Sequence, residues 1–218
     1  MNAKTKLQIQ SLVQKEVSRL LGLYMRPQVG MHILPGGKKP KRESHGAIAY
    51  DVRLRAIVDP FSMDPENRHL RRTLFDFRNI IDPTISEFAV QRKCEEKWRG
   101  KRWVFRLEPG AMVLCGIGFV TEMPFPLCYL TLCRSGIASK HKVIVANGPG
   151  TVDPDYRGEA GIILFNCGKS SFYLYQGMRI AQVKFEYAVI PELKNIQHYR
   201  DMSTTPRAAG GFGSTGFC

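Results

Sequence analysis

The sequence lacks any apolar run of membrane-spanning length. Its longest stretches, "AMVLCGIGFV" and "GIILF", are strand-sized, whereas a spanning helix needs about 18–20 apolar residues. The N-terminus, "MNAKTKLQIQSLVQKEV", has no continuous apolar segment of the kind a secretory signal needs. These two absences predict a cytoplasmic protein (in the host cytoplasm, were the source viral) with no membrane partner. The six cysteines, at 94, 115, 128, 133, 167 and 218, include no CxxC pair, and the five histidines form no HExxH. That argues against an all-protein zinc site, and cysteines inside apolar runs read as reduced, buried thiols. Acidic residues are scarce as well, 19 against 32 Lys and Arg, for a net charge of +13.

The positive excess is uneven. Residues 1–45 carry nine Lys/Arg against two acids, residues 59–104 ten against eight, and the remainder thirteen against nine. Over half of the excess therefore lies in the N-terminal segment, which reads as a solvated basic arm. The arm, or the 59–102 segment, leaves room for a nucleic-acid or protein partner, but the arm lacks the interleaved aromatics of a single-strand binder, and nothing else in the sequence supports one.

What is present is mostly strand. From Lys4 to Tyr24, Leu7, Ile9, Leu12, Val13, Val17, Leu20 and Leu21 follow helical spacing and predict an amphipathic helix ending near Gly22 and Pro27. "LPGGKKPKRESHG" is a loop. Beyond it, "AIAYDVRLRAIV", "RWVFRLE", "AMVLCGIGFV", "CYLTLCR", "KVIVAN", "AGIILFN", "SFYLYQG" and "RIAQVKFEYAVI" are short, rich in Val, Ile, Phe and Tyr, and punctuated by turn residues. Many short strands between turns describe a mainly β chain, a barrel or jelly roll. Alternation is lost between residues 59 and 102, a charged stretch with helix-like pieces that reads as a mixed insertion.

Several separated segments carry chemistry suited to one ligand. In "NGPGTVDPDYRGE" (147–159), Pro149-Gly150 and Pro154-Asp155 are turn formers around one Asp, predicting a β-hairpin that presents backbone groups. "CRSGIASK" (133–140) offers an Arg fork and a hydroxyl in a turn, suited to phosphate oxygens. Gln182 follows in "QGMRIAQVKF". The chain ends in "RAAGGFGSTGFC", too glycine-rich to pack a core yet bearing a cation, hydroxyls and aromatic rings, as a flap closing on an anionic, ring-containing ligand needs. Asp155, Arg157 and Glu159 read as charges that stabilise the hairpin.

In order, "AYDVRL", "CRSGIASK", "NGPGTVDPDYRGE", "GMRIAQ" and "RAAGGFGSTG" resemble the five motifs of the trimeric dUTPase family, within the dUTPase and dCTP deaminase superfamily. The resemblance implies a jelly-roll-like β-barrel over residues 46–206 carrying the 59–102 insertion. It also implies an N-terminal extension with its helix over 1–45 and a flexible C-terminal lid over 207–218. It implies a homotrimer that hydrolyses dUTP to dUMP and pyrophosphate with Mg²⁺, held through water by Asp51. Asp153 would orient and deprotonate the water that attacks the α-phosphorus and touch the 3′-hydroxyl, and Gln182 would reach the α-phosphate. Arg134 and Ser135 would contact phosphates, Asn147 the uracil edge, and Tyr156 the underside of the deoxyribose, with Gly136, Gly150 and Val152 as further substrate contacts. In the lid, Arg207, Ser214 and Thr215 would meet the terminal phosphates, Phe212 would stack on uracil, and Gly213 would allow close approach.

The departures from the pattern are Ala208 where the fifth motif has Gly, and Cys133 where Pro is usual. The rival activity is dCTP deamination, alone or combined with dUTP hydrolysis. Deaminases of the superfamily carry a Glu on the strand after the third motif, where this chain has Ile163, which cannot shuttle a proton. A third alternative is a regulatory binding protein on the same scaffold.

Overall fold

The structure is a computed structural model that describes residues 3–93 and 101–210. The chain divides into two packed units, Met1–Ala188 and Val189–Cys218. In the first, the predicted helix forms as α1 (Ala3–Met25). Its apolar side chains Ile9, Leu12, Val13, Val17, Leu20 and Leu21 are all exposed.

The rest is antiparallel sheet, with strands numbered in chain order. A four-stranded sheet has the order β11 (Gly150–Val152), β9 (Leu127–Cys133), β14 (Arg179–Tyr187), β2 (Tyr50–Arg53). A five-stranded sheet runs β10 (Val143–Val145), β12 (Gly161–Asn166), β7 (Met112–Gly116), β3 (Ala56–Met63), β4 (Arg71–Phe75). A three-stranded sheet joins β13 (Phe172–Leu174), β6 (Lys101–Leu107) and β5 (Ala89–Lys93), and a pair joins β1 (Gly30–Ile33) to β8 (Phe119–Glu122). The expected barrel is therefore open: among the described residues the four sheets pack around a common core without closing into one ring.

That core is made by period-two burial. Ile162, Leu164 and Asn166 of β12 are buried while their neighbours are half-exposed, as a strand with one covered face requires. Leu54, Phe75, Leu107, Ile117, Phe119, Leu127, Tyr129, Leu174 and Ile180 complete the centre. Single predicted runs bend where they pass between sheets. Leu54 N–H donates to the Met178 carbonyl and Arg55 N–H to that of Gly116 (2.9 and 2.8 Å), so "AIAYDVRLRAIV" becomes β2 and β3. "AMVLCGIGFV" breaks at Gly118, which has φ +74°, a value that favours glycine. There a Cβ on Gly37 would lie 2.0 Å from the Gly118 carbonyl oxygen.

The 59–102 segment differs from expectation. Its described residues, 59–93 and 101–102, are mostly strand: the end of β3, all of β4 and β5 and the start of β6, with one 3-10 turn (Pro83–Phe88) capped by Asp82 as the helix-like piece. Strands β4 and β5 lie at sheet edges, and the first four residues of β4, "RRTL", are all half-exposed. Charged side chains on an edge hide the alternation that marks a strand, and also discourage edge-to-edge association.

In the second unit the described residues hold one 3-10 turn, Tyr199–Asp201, and no strand. Val189, Ile190 and Leu193 are exposed there.

Candidate active site

Asp51 is the centre of a polar cluster at one end of the four-stranded sheet. Its side chain is nearly inaccessible, at 2% exposure. Oδ1 accepts from Gln182 Nε2 at 2.9 Å and Arg134 Nε at 3.2 Å, and Oδ2 accepts from Arg179 Nη1 at 3.1 Å. Arg179 also meets Glu43 Oε1 at 3.1 Å, and Arg134 Nη1 donates to the Arg179 carbonyl at 3.3 Å. Strand register explains the meeting. Asp51 of β2 lies opposite Gln182 of β14, Gln182 lies opposite Leu132 of β9, and Arg134 follows the end of β9.

Arg179 was not among the residues singled out from the sequence. Three positions before Gln182, a regular strand would send its side chain to the opposite face. The β2–β14 register shifts between Arg179 and Ala181, and a bulge of this kind re-aims a side chain. The bulge brings both donors onto one carboxylate.

The Arg-Ser-Gly segment is a helix start rather than an isolated turn. Arg134 is the N-cap of α2 (Ser135–His141), and Ser135 and Gly136 are exposed. The first amides of a helix have no acceptor within it, so theirs are available to a ligand's oxygen atoms.

The 147–159 segment also departs from expectation. It is the connection between β10 and β12, and its middle, β11, pairs with β9 (Gly150 opposite Thr131, Val152 opposite Tyr129) instead of folding on itself. β11 is the edge of its sheet. Thr131 Oγ1 donates to the Gly150 carbonyl at 3.2 Å. A Cβ on Gly150 would meet Asn147 Nδ2 and Thr131 Oγ1 at 2.7 Å, so glycine lets the Asn147 amide lie over the strand. The chain then turns at Pro154-Asp155, with Tyr156 N–H donating to the Asp153 carbonyl. Asp153 is exposed, and burial, together with the negative charges of Glu186 and Asp153, pushes the Cys128 thiol upward.

Charges after the turn hold it in shape. Arg157 Nη1 donates to the Pro154 carbonyl at 2.6 Å, and Tyr156 Oη donates to the Glu159 carbonyl at 3.1 Å. Glu159 is fully buried, receives Arg55 Nε and Nη2 at 2.7 and 2.6 Å and the Gly118 N–H at 2.8 Å, and its own N–H donates to the His69 carbonyl.

One chain thus holds two groups of the expected residues, not one. Asp51, Arg134 and Gln182 meet. Asn147, Gly150, Val152, Asp153 and Tyr156 lie along β11 and its turn, two strands across from β14. At standard spacings Asp153 and Gln182 are on the order of 15 Å apart. Arg207 lies in the second unit, where its Nε donates to the Gly210 carbonyl at 2.8 Å. Phe212, Gly213, Ser214 and Thr215 lie outside the described residues.

Asp51 bears on the expected Mg²⁺. Among the described residues no three His, Cys, Asp or Glu converge as a metal cage. A carboxylate has about four lone-pair sites, and three are occupied here, leaving one on Oδ2. The open site can accept a hydrogen bond from a metal-bound water, so the residue fits contact with an ion through water.

The class is that of an antiparallel β scaffold carrying a carboxylate cluster held by two Arg and one Gln on one sheet, with an exposed Asp at that sheet's other edge. A family profile described as dUTPase matches residues 105–216. The deoxyuridine 5′-triphosphate nucleotidohydrolase of Clostridium acetobutylicum is 40% identical over 144 residues, covering 63% of this chain and 97% of that protein. Its counterpart from Gloeothece citriformis is 44% identical over 110 residues, covering 50% and 74%. The fold is similar to a dUTPase of Staphylococcus bacteriophage 80alpha solved with dUpNHpp (TM-score 0.59, 17% identity, 88% of this chain and 99% of that one). It is also similar to the dUTPase of S. aureus phage phi11, described with a structural Mg(II) ion (TM-score 0.53, 15% identity, 79% and 99%). The chain belongs to the dUTPase family.

Proposed function

We propose that this protein is a dUTP diphosphatase that hydrolyses dUTP to dUMP and pyrophosphate. The observation that carries the reading is similarity across 97% of a named deoxyuridine triphosphate nucleotidohydrolase; an exposed Asp153 is consistent with it. No hydrogen bond of the Asp153 side chain occurs among the described residues, which leaves the carboxylate free to accept a proton.

In this reading Asp153 takes a proton from a water molecule whose oxygen attacks the α-phosphorus. The bond from that phosphorus to its bridging oxygen breaks, and pyrophosphate departs with the electron pair. Arg134, the Ser135 hydroxyl, and the amides of Ser135 and Gly136 hold phosphate oxygens. Gln182, which now donates to Asp51, turns its amide to the α-phosphate region. Asn147, Gly150 and Val152 present the uracil-reading edge. Tyr156, held through its hydroxyl, forms the floor under the deoxyribose and excludes a 2′-hydroxyl. Arg207, Phe212, Gly213, Ser214 and Thr215 close over the bound nucleotide, and closure expels water and fixes the attack line. Mg²⁺, outside Asp51, would neutralise charge on the triphosphate.

The distance between the two residue groups supports a homotrimer, in which the Asp51 cluster of one chain meets the Asp153 edge of another. The exposed Val189, Ile190 and Leu193 also suit a segment that is covered on association. Deamination lacks its acid/base group, since Ile163 sits in β12 opposite Leu114. Pyrophosphate release measured with dUTP, dCTP, dTTP and UTP, alongside ammonia release, tests the reading. Pyrophosphate from dUTP alone is expected, and ammonia from dCTP would overturn it.

A further inference from the structure

A cavity of about 930 Å³ opens on the other face of β2 and β14 from Asp51 and Gln182. Alternation along the strands places it there: Tyr50 and Phe185, which line it, are one and three positions from Asp51 and Gln182. Its wall is apolar and aromatic, with Met31, Ile48, Tyr50, Leu127, Phe185 and Tyr187. Tyr50 and Phe185 meet edge to face at 5.8 Å between ring centres. Its rim is basic, with Arg26, Lys39 and Arg42 beside His45.

The four basic residues differ in what they already do. Arg42 is committed. Its Nη1 donates to the carbonyls of His45 (3.3 Å) and Ala47 (3.2 Å), folding that loop into a wall, and its guanidinium lies 5.8 Å from the Tyr50 ring centre. The side chains of Arg26, Lys39 and His45 have no hydrogen bond or ion pair among the described residues. The one lining acid, Glu186, is paired with Lys184 at 2.9 Å. The mouth therefore carries uncompensated positive charge above half-buried rings. A basic loop on a convex surface is simply hydrated; here low-dielectric walls concentrate the field. The volume is that of an ordinary small-molecule site.

We propose that this cavity binds an aromatic organic anion, its ring against Tyr50, Phe185 and Ile48 and its acid group among Arg26, Lys39 and His45. Neither half suffices alone: rings supply area and stacking, and the cations supply orientation. Single-stranded nucleic acid uses the same two chemistries, but it needs an open track for successive bases, and the 42–47 loop walls this cavity.

The test uses full-length protein and the dye 1-anilinonaphthalene-8-sulfonate, a fused-ring anion that brightens in apolar sites. Saturable binding at one site per chain is expected, with the neutral analogue N-phenyl-1-naphthylamine and inorganic phosphate each binding at least tenfold more weakly. Lys39→Glu and Ile48→Glu should each weaken dye binding at least tenfold. Both side chains are exposed, Ile48 at 74%, so the fold tolerates them, and retained dUTP hydrolysis checks this. Lys39→Ala provides a milder second variant. Phe61→Glu, at a side chain 94% exposed elsewhere, should change nothing. Dye binding that survives Lys39→Glu and Ile48→Glu would overturn the proposal, as would displacement of the dye by an oligothymidylate at lower concentration than by any mononucleotide.

Discussion

Arg55 and Glu159, 104 residues apart in sequence, form a two-pronged ion pair of 2.7 and 2.6 Å inside the protein. Glu159 is 0% exposed and Arg55 9%. The pair ties the junction of β2 and β3 to the end of the segment carrying Asp153 and Tyr156. A Cβ on Gly116 would lie 2.6 Å from Glu159 Oε1, so glycine there makes room for the carboxylate.

Glu159→Ala leaves the Arg55 guanidinium buried without its partner, a change that costs roughly 3–5 kcal/mol. Urea denaturation should show the midpoint fall by that equivalent at unchanged slope. A loss below about 1 kcal/mol, the size of an exposed pair, would show that the linkage is unimportant.

Asp153→Asn keeps the size of the side chain and removes its basicity. Turnover of dUTP should drop roughly 10²–10⁴-fold, while affinity for a non-cleavable dUTP analogue, measured calorimetrically, stays within threefold. A near-normal rate would remove Asp153 from the reaction.

Arg179→Ala deletes one of two guanidinium groups on Asp51 and frees Oδ2. A charge-assisted bond contributes about 1.5–3 kcal/mol, so urea denaturation should show a stability loss of that order. An unchanged midpoint would mean that Arg134 and Gln182 hold Asp51 without it.

Deleting residues 207–218 should lower kcat/KM for dUTP far more than affinity for dUMP, because the terminal phosphates lose their contacts. Equal losses for the two ligands would count against closure of that segment.

The 59–102 segment should be acid-sensitive. Backbone donation from Phe61 and the Arg72 side chain hold Asp59 below the usual carboxylate range, and the Thr84 hydroxyl and amide with Arg72 do the same for Asp82. For Asp76, burial pushes upward, but the amides of Ile80, Arg78 and Asn79 outweigh it. Depressed folded-state values contribute stability that is present above the ordinary carboxylate pKa, about 3.9, and is lost as pH falls through the lower folded values. Hydrogen exchange in residues 59–88 should be constant from pH 7 to 5 after correction for intrinsic rates, and protection should fall below about pH 4. Constant protection down to pH 2 would contradict this.

The sequence by itself determined the strand-rich class, the N-terminal helix, the turn at Pro154-Asp155, and the order of the five motifs. Each depends on local properties: period-two burial, φ preference and side-chain chemistry at fixed spacing. It also placed Asp51 and Gln182 among the candidate site residues, though by resemblance and not by contact. Tertiary structure alone decided that β11 pairs with β9, that a bulge turns Arg179 toward Asp51, and that Arg55 finds Glu159. It alone showed that the charged 59–102 segment holds the edge strands β4 and β5, where solvent on the open side removes the alternation a reader relies on. The physical reason is common to all of these. Ladder register and buried pairing join residues scores of positions apart, and nothing in the spacing of either partner encodes the distance to the other.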